Sequence, residues 1–227
     1  MQVSDLTASA QDHLKLIWSV TEWSGTTVTI GLIAERLGLS ASTVSGAVRK
    51  LADQGLVSHE RYGSVELTAA GREHAVAMVR RHRLLETFLV EILGYAWDEV
   101  HREAEALEHA VSDTLISRID ALLGWPVRDP HGDPIPSPDG RTRRPDAAQL
   151  TTVSTDQTVT IFRVSDADGA LLRYFSRLGL TPDTELIVRA RRPLSSATTI
   201  RVKGRDEDID LSLLASNAIW VLPGRPA

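Results

Sequence analysis

The chain contains no cysteine. That excludes disulfides, thiolate metal ligands and a thiol redox switch. No positively charged start leads into an apolar run, so no signal peptide is visible. The longest apolar run, near Phe88–Ala96, is interrupted by Glu91, and no membrane span is expected. A cytoplasmic protein follows, with no membrane partner. Positive charge is also short. A net charge of −5 argues against bulk non-specific nucleic-acid binding while permitting a locally basic reading surface. The 227 residues suffice for one large domain or two to three small ones.

The shortage of cations is sharpest between His82 and His109. His82 and Glu86 sit four residues apart, and His101, Glu105, Glu108 and His109 follow at spacings of four, three and one. At about 100° per residue, each group projects from one face of its helix, so six imidazoles and carboxylates converge where two helices meet. Solvated helices balance Glu with Lys or Arg, yet here Arg102 points off the face. A metal ion is the simplest cation for such a face. A solvated acidic face is the alternative.

Upstream, Thr7–Trp23 reads as a helix with Leu14, Ile17, Trp18 and Thr21 at helical spacing and Ser9 as its N-cap. Asp12 and His13 fall in its first turn, where an acid also suits the helix dipole without any ligand role. Next come helices over Ile30–Leu37 and Ala41–Gln54, joined by Gly38-Leu39-Ser40. Ser40 caps the second, whose outward residues are Ser42, Thr43, Ser45, Arg49 and Lys50. A strand then begins at Leu56-Val57 and returns through a hairpin around Arg61-Tyr62-Gly63 to Val65-Glu66-Leu67. This order predicts a winged helix-turn-helix. The short residues of its second helix permit close approach to base edges, and Arg49, Lys50, His59 and Arg61 can reach phosphates. A helix pair serving only for packing or protein contact is the rival reading.

Thr68-Ala-Ala-Gly71 starts a long helix, Arg72–Leu93, and a further helix is expected over Trp97–Leu123. His74 reads as a surface residue. Leu115, Ile116, Ile119 and Leu122 suggest either self-association or core. Gly124–Pro145 holds most of the prolines, which excludes regular helix and central strand. His131 there fits a structural or surface role better than a ligand role. Beyond it, TVTIFRV, ELIVRA, TTIRVKG, DIDLS and AIWVL are short β-rich runs around one helical piece, Ala167–Gly179. They predict a small, partly open SH3-like barrel. Asp166 and Asp168 open that helical piece, either as caps or as oxygen ligands. The expected class is therefore α+β. Residues 1–73 form a winged helix-turn-helix, 74–145 a helical metal-binding and dimerisation domain with a Pro-rich linker, and 151–227 the SH3-like domain.

IAERLGLSASTVSGAVRKLADQGLV, the HRLLE helix, VHREAEALEHAVSD, the PHGDPIP turn and the terminal SH3-like unit together resemble one family. It is that of the diphtheria toxin repressor and manganese transport regulator, the metal-dependent repressors. The resemblance covers essentially the whole chain; its specific part is HxxxE with HxxxExxEH. It implies a homodimer with two metal sites per subunit that binds palindromic operator DNA when metal is present, with no small-molecule substrate. It implies a first site of Asp12, Glu105, Glu108 and His109. The second would use His82, Glu86 and His101, completed by Asp166 or Asp168. The iron-type Glu-x-x-Gln pair is not reproduced around Asp166–Leu171.

Iron-type members of the family carry Met and Cys at the positions of Asp12 and Glu105. Carboxylates at both suit the hard ion Mn(II), so the resemblance implies the manganese-responsive branch, repressing metal-uptake genes. An Fe(II)-dependent repressor is the alternative, and Zn(II) or Co(II) are expected to bind in vitro. Lys15 stands where some two-domain manganese regulators carry Glu, which argues against a two-metal arrangement built on that residue. Metal joining Asp12 to the later helix would fix the spacing of two recognition helices in a dimer; without it the carboxylates would repel. A metallohydrolase, the distant alternative, needs an open coordination position and a placed base, and no HExxH accompanies these residues. A ligand-responsive winged-helix regulator with a merely solvated acidic face is the remaining reading.

Overall fold

The computed structural model describes residues 6–60, 63–192 and 196–223. Packing divides the chain into two compact units that interleave along the sequence. One comprises residues 1–82, 106–116 and 136–142; the other comprises 83–105, 117–135 and 143–227.

The first unit opens with α1, Ala8–Trp23, whose N-cap is Thr7 rather than Ser9. The Thr7 hydroxyl accepts from Ala10 N at 3.3 Å. Starting there puts Asp12 beyond the first turn, so the helix-dipole account of that acid loses its basis. Helices α2 (Ile30–Leu37) and α3 (Ala41–Asp53) follow. Gly38, at φ 64°, closes α2 in the left-handed conformation that glycine adopts without strain, and the Ser40 hydroxyl caps α3 by accepting from Thr43 N at 3.1 Å. Strands β1 (Val57–His59) and β2 (Val65–Leu67) pair antiparallel, with Val57 opposite Leu67. Leu14, Ile17, Ile33, Val44, Val48, Leu51, Leu56 and Val65 pack into one core. Helix α4, Ala69–Glu91, begins against this core. A Cβ on Gly71 would stand 1.8 Å from the Leu56 carbonyl oxygen, so only glycine admits that approach. His74, expected on the surface, is buried.

The single helix expected over Trp97–Leu123 is two: α5 (Val100–Glu108) and α6 (Asp113–Leu122). Apolar spacing runs on through the break, but Ser112 supplies a cap, its hydroxyl accepting from Leu115 N at 3.2 Å. The four residues read as either interface or core separate. Ile116 and Ile119 are buried, whereas Leu115 and Leu122 are exposed.

In the second unit, β3 (Ala148–Gln149), β4 (Thr158–Val164), β5 (Glu185–Arg192), β6 (Ala197–Val202), β7 (Asp208–Leu211) and β8 (Ile219–Pro223) form one sheet in the order β3-β8-β4-β5-β6-β7. Alternate residues Val159, Ile161, Leu186, Val188 and Ile200 turn inward on Phe175 and Leu172 of α7, Gly169–Leu178. A short helix, α8 (Leu213–Asn217), precedes β8. This is the SH3-like unit that the period-2 runs imply. The prolyl turn 129–134 is seated on β4: Val164 N donates to His131 O at 2.9 Å, and Arg163 Nε pairs with Asp133 at 2.8 Å. No helix among the described residues is long and apolar enough to cross a membrane.

Candidate metal centre

In the first unit, α1 carries Asp12 and Lys15, α4 carries Arg81 and His82, and α5 ends at Glu108 with His109 in the following turn. The break before α6 therefore frees His109 from helical register. His109 Nε2 lies 3.0 Å from Asp12 Oδ1 and 3.6 Å from Glu108 Oε1. Its Nδ1 contacts Gln11 Oε1 at 2.7 Å, while the Gln11 amide nitrogen donates to Leu6 O at 3.1 Å. Because that amide is held with its oxygen towards the ring, Nδ1 is the donor to it and Nε2 is the atom turned to the carboxylates. Nothing in the sequence pattern singles out Gln11.

Glu108 has no exposed surface. Lys15 Nζ reaches its Oε1 at 2.5 Å and His82 Nδ1 its Oε2 at 2.6 Å. Arg81 donates to the Glu108 carbonyl oxygen at 3.1 Å and also pairs with Asp113. Burial pushes the Glu108 carboxyl up, but His82 and Lys15 outweigh it and hold it below its ordinary value of 4.5. The acidic face thus receives cations from α1 and α4, which helix-by-helix reading of α5 does not reveal.

In the second unit, Glu86, also without exposed surface, lies with Oε1 3.2 Å from His101 Nδ1. Asp166 Oδ2 approaches the same nitrogen at 3.4 Å, and Glu105 Oε1 lies 3.5 Å from His101 Nε2. Glu105, which the resemblance places with Asp12, is thus turned towards His101. Burial opposes a charge on His101, but Asp166, Glu105 and Glu86 together hold it far above its ordinary value of 6.5. Asp168 caps α7, its Oδ1 accepting from Ala170 N at 2.8 Å and Leu171 N at 3.3 Å. Of the two Asp candidates, the structure brings Asp166 to the histidine.

His131, read from the sequence as structural or surface rather than as a ligand, also faces Glu86. It is completely buried, stacks on Trp97 with ring centroids 5.7 Å apart, and directs Nε2 to the Trp97 carbonyl oxygen at 2.7 Å. A carbonyl only accepts, so Nε2 carries the proton and Nδ1 faces Glu86 Oε2 at 3.7 Å. Nδ1 has no hydrogen-bond partner among the described residues. A lone pair against a carboxylate calls for a proton or a cation between them. Consistently, although burial works against it, Glu86 and Asp129 push the ring up to about 10. The only sequence signal was a histidine locked in a short prolyl turn.

The donor sets fit a hard divalent cation. Ligand atoms of Asp12, Glu108 and His109 lie within 4.8 Å of one another, as do those of Glu86, His101 and Asp166, and those of Glu86, Asp129 and His131. All are oxygen or imidazole nitrogen. His82 stands one turn before Glu86 on α4.

On α3, Ser42, Thr43, Ser45, Arg49 and Lys50 are all exposed, as the helix-turn-helix reading requires. The Ser40 hydroxyl is engaged with Thr43 N and with the Ser42 and Thr43 hydroxyls. His59 is half-buried, its Nδ1 3.2 Å from Ser64 O, and Arg61 lies outside the described residues.

Family descriptions match three successive parts of the chain. Residues 5–65 match the iron-dependent repressor N-terminal DNA-binding domain, 68–137 the iron-dependent repressor metal-binding and dimerisation domain, and 148–223 the FeoA domain. The iron-dependent repressor IdeR of Mycobacterium leprae (strain TN) is 38% identical over 134 residues, 59% of this chain and 58% of that protein. The diphtheria toxin repressor of Corynebacterium diphtheriae is 37% identical over 137 residues, 60% of each. The matched stretch thus spans less than two thirds of these curated relatives. A solved manganese-dependent transcriptional repressor in complex with manganese is 54% identical, covering 94% of this chain and 99% of that one at a TM-score of 0.91. The manganese regulator SloR is 32% identical, covering 96% and 100% at 0.81. With its helix-turn-helix, its imidazole–carboxylate groups and these relatives, the chain belongs to the diphtheria toxin repressor and manganese transport regulator family of metal-dependent, DNA-binding transcriptional repressors.

Proposed function

We propose that this protein is a manganese-dependent repressor of metal-uptake genes, acting as a homodimer on palindromic operator DNA. The observation that carries the reading is the meeting of Asp12, from the first helix of the DNA-reading domain, with Glu108 and His109 at the end of α5. Asp12, Glu108 and His109 would hold Mn(II) at the first site. At the second, His101, Asp166 and Glu86 would hold it, with His131 aimed at the same carboxylate and His82 one turn before it. The cation would supply the positive charge that keeps carboxylates of different helices together. Carboxylates at Asp12 and Glu105, with no thiol or thioether among these groups, favour a hard ion over Fe(II). The residues of the protein then do the rest. Gln11 orients His109, Trp97 orients His131, and Asp12 ties α1, the first helix of the reading domain, to α5. Exposed Ser42, Thr43 and Ser45 would approach base edges while Arg49 and Lys50 meet phosphates.

Self-association is supported by the exposed apolar side chains of Leu122, Trp125 and Val127, the last two 69% and 75% exposed. The deciding experiment is operator binding against Mn(II), Fe(II) and Zn(II) at one fixed salt concentration, since affinity without salt carries no meaning. Activation by Mn(II) at lower free concentration than Fe(II) is expected. The reverse order would favour the iron-dependent reading, which the similarity to the iron-dependent repressor IdeR supports.

A further inference from the structure

We infer that Lys15 is a built-in competitor for the first metal site: its ammonium group holds the Glu108 carboxylate in the absence of metal and sets how much Mn(II) is needed to load it. The inference rests on the proposed Asp12–Glu108–His109 site. Lys15 Nζ lies 2.5 Å from Glu108 Oε1, the same oxygen that His109 Nε2 approaches at 3.6 Å. The other oxygen is taken by His82 Nδ1 at 2.6 Å. Both oxygens of Glu108 are thus already engaged, and a cation drawn to either one competes with the group that holds it. Lys15 is the partner that stands on Oε1, the oxygen nearest the His109 ring.

The pair is nearly dry, with the Lys15 side chain 13% exposed and that of Glu108 not exposed at all, so water screens the competition poorly. Lys15 and Asp12 also share α1 at a spacing of three residues. The helix that brings a ligand to the site thus brings a rival to the ligand. The consequence is graded rather than all-or-none. Metal-free protein keeps α1 tied to Glu108 through the lysine, and Mn(II) must replace that tie with its own. This modifies the expectation of bare carboxylate repulsion in the metal-free state, because the carboxylate with least access to solvent is already neutralised.

The test is a Mn(II) titration followed by electron paramagnetic resonance of the free ion, on full-length parent, Lys15→Gln, Lys15→Arg and Asp12→Ala. Lys15→Gln should bind the ion lost in Asp12→Ala about tenfold more tightly than the parent, the scale of one partly screened like-charge contact. Lys15→Arg should stay near the parent. Equal or weaker binding by Lys15→Gln, with Asp12→Ala defective, overturns the competition and leaves the site reading intact. Identical titrations of parent and Asp12→Ala overturn the site reading, and the competition with it. A second measurement needs no variant. Acylation of Lys15 in the parent, read by peptide mass spectrometry, should rise severalfold when Mn(II) releases the amine, and unchanged labelling at saturating Mn(II) counts against the inference.

Discussion

Glu108 and Glu86 are both carboxylates without exposed surface, yet their companions differ. Glu108 meets a lysine and a histidine; Glu86 meets the imidazoles of His101 and His131. A buried carboxylate is costly unless it is paired and hydrogen-bonded, so both groups need compensating charge. They store it differently. At Glu108 it is shared between the His82 ring and the Lys15 ammonium group, which leaves only by moving. At Glu86 it sits on rings alone, which can give up a proton in place, so loading the second group should release protons, whereas loading the first should also move the Lys15 side chain.

The largest expected effect comes from removing the first carboxylate. Glu108→Ala removes the buried carboxylate between Lys15 and His82 and should lower the stability of the metal-free protein by about 3 kcal/mol or more, read by urea unfolding, while abolishing Mn(II) binding at that group. Full retention of stability would mean that the pair contributes nothing. Asp12→Ala tests the same group from its exposed side. A folded dimer is expected, with the metal-dependent gain in operator affinity, roughly 5–150-fold, lost in an anisotropy titration.

Gly132→Ala sharpens the other side. Gly132 has φ 93°, and a Cβ there would stand 2.1 Å from the Phe162 carbonyl oxygen. The substitution should cost about 1–3 kcal/mol and disturb His131, weakening the second Mn(II) equivalent more than the first. Two equally weakened equivalents would argue that the groups are not separable.

Acid and base should also separate the two groups. Glu108 is held below its ordinary value of 4.5, so its pairing stabilises the metal-free protein above that pH and is lost as pH falls through the lower, folded value. His131 is raised from 6.5 to about 10, so its contribution is complete below about 6.5 and fades as pH rises towards 10. Thermal unfolding of the metal-free protein should therefore show a Glu108→Ala-sensitive loss in acid and a loss of a few degrees between pH 7 and 10 that disappears in His131→Ala. The smallest effect lies outside both groups. Arg49→Ala should reduce the slope of log affinity against log salt by about 1 per subunit without changing Mn(II) binding.

Much of this was legible in the chain itself. Helical spacing placed His82 with Glu86 and His101 with Glu105 on shared faces, and the order of helices, hairpin and β-rich runs carried the fold class, because 3.6 and 2 are periods that local backbone geometry imposes. Helix ends were less legible. The apolar stripe continues through residues 109–112, and only the capping by Ser112 shows the stop that frees His109. The burial of His74 was misjudged, and that of His131 left open, for a related reason. Whether a polar ring is inside depends on what packs over it, and nothing near His74 or His131 in sequence records that.

What the sequence determined by itself is the inventory. It provides no thiol, a shortage of cations on the α5 face, carboxylates at positions 12 and 105, and a reader helix lined with small polar residues. What only the tertiary structure decided is the pairing of that inventory. It brings Lys15 to Glu108 across 93 positions, Gln11 to His109 across 98 and His131 to Glu86. It also gives Asp166 to His101 and leaves Asp168 as a cap. Charge balance in a buried site acts through distances of a few ångströms, and chain order does not set those distances.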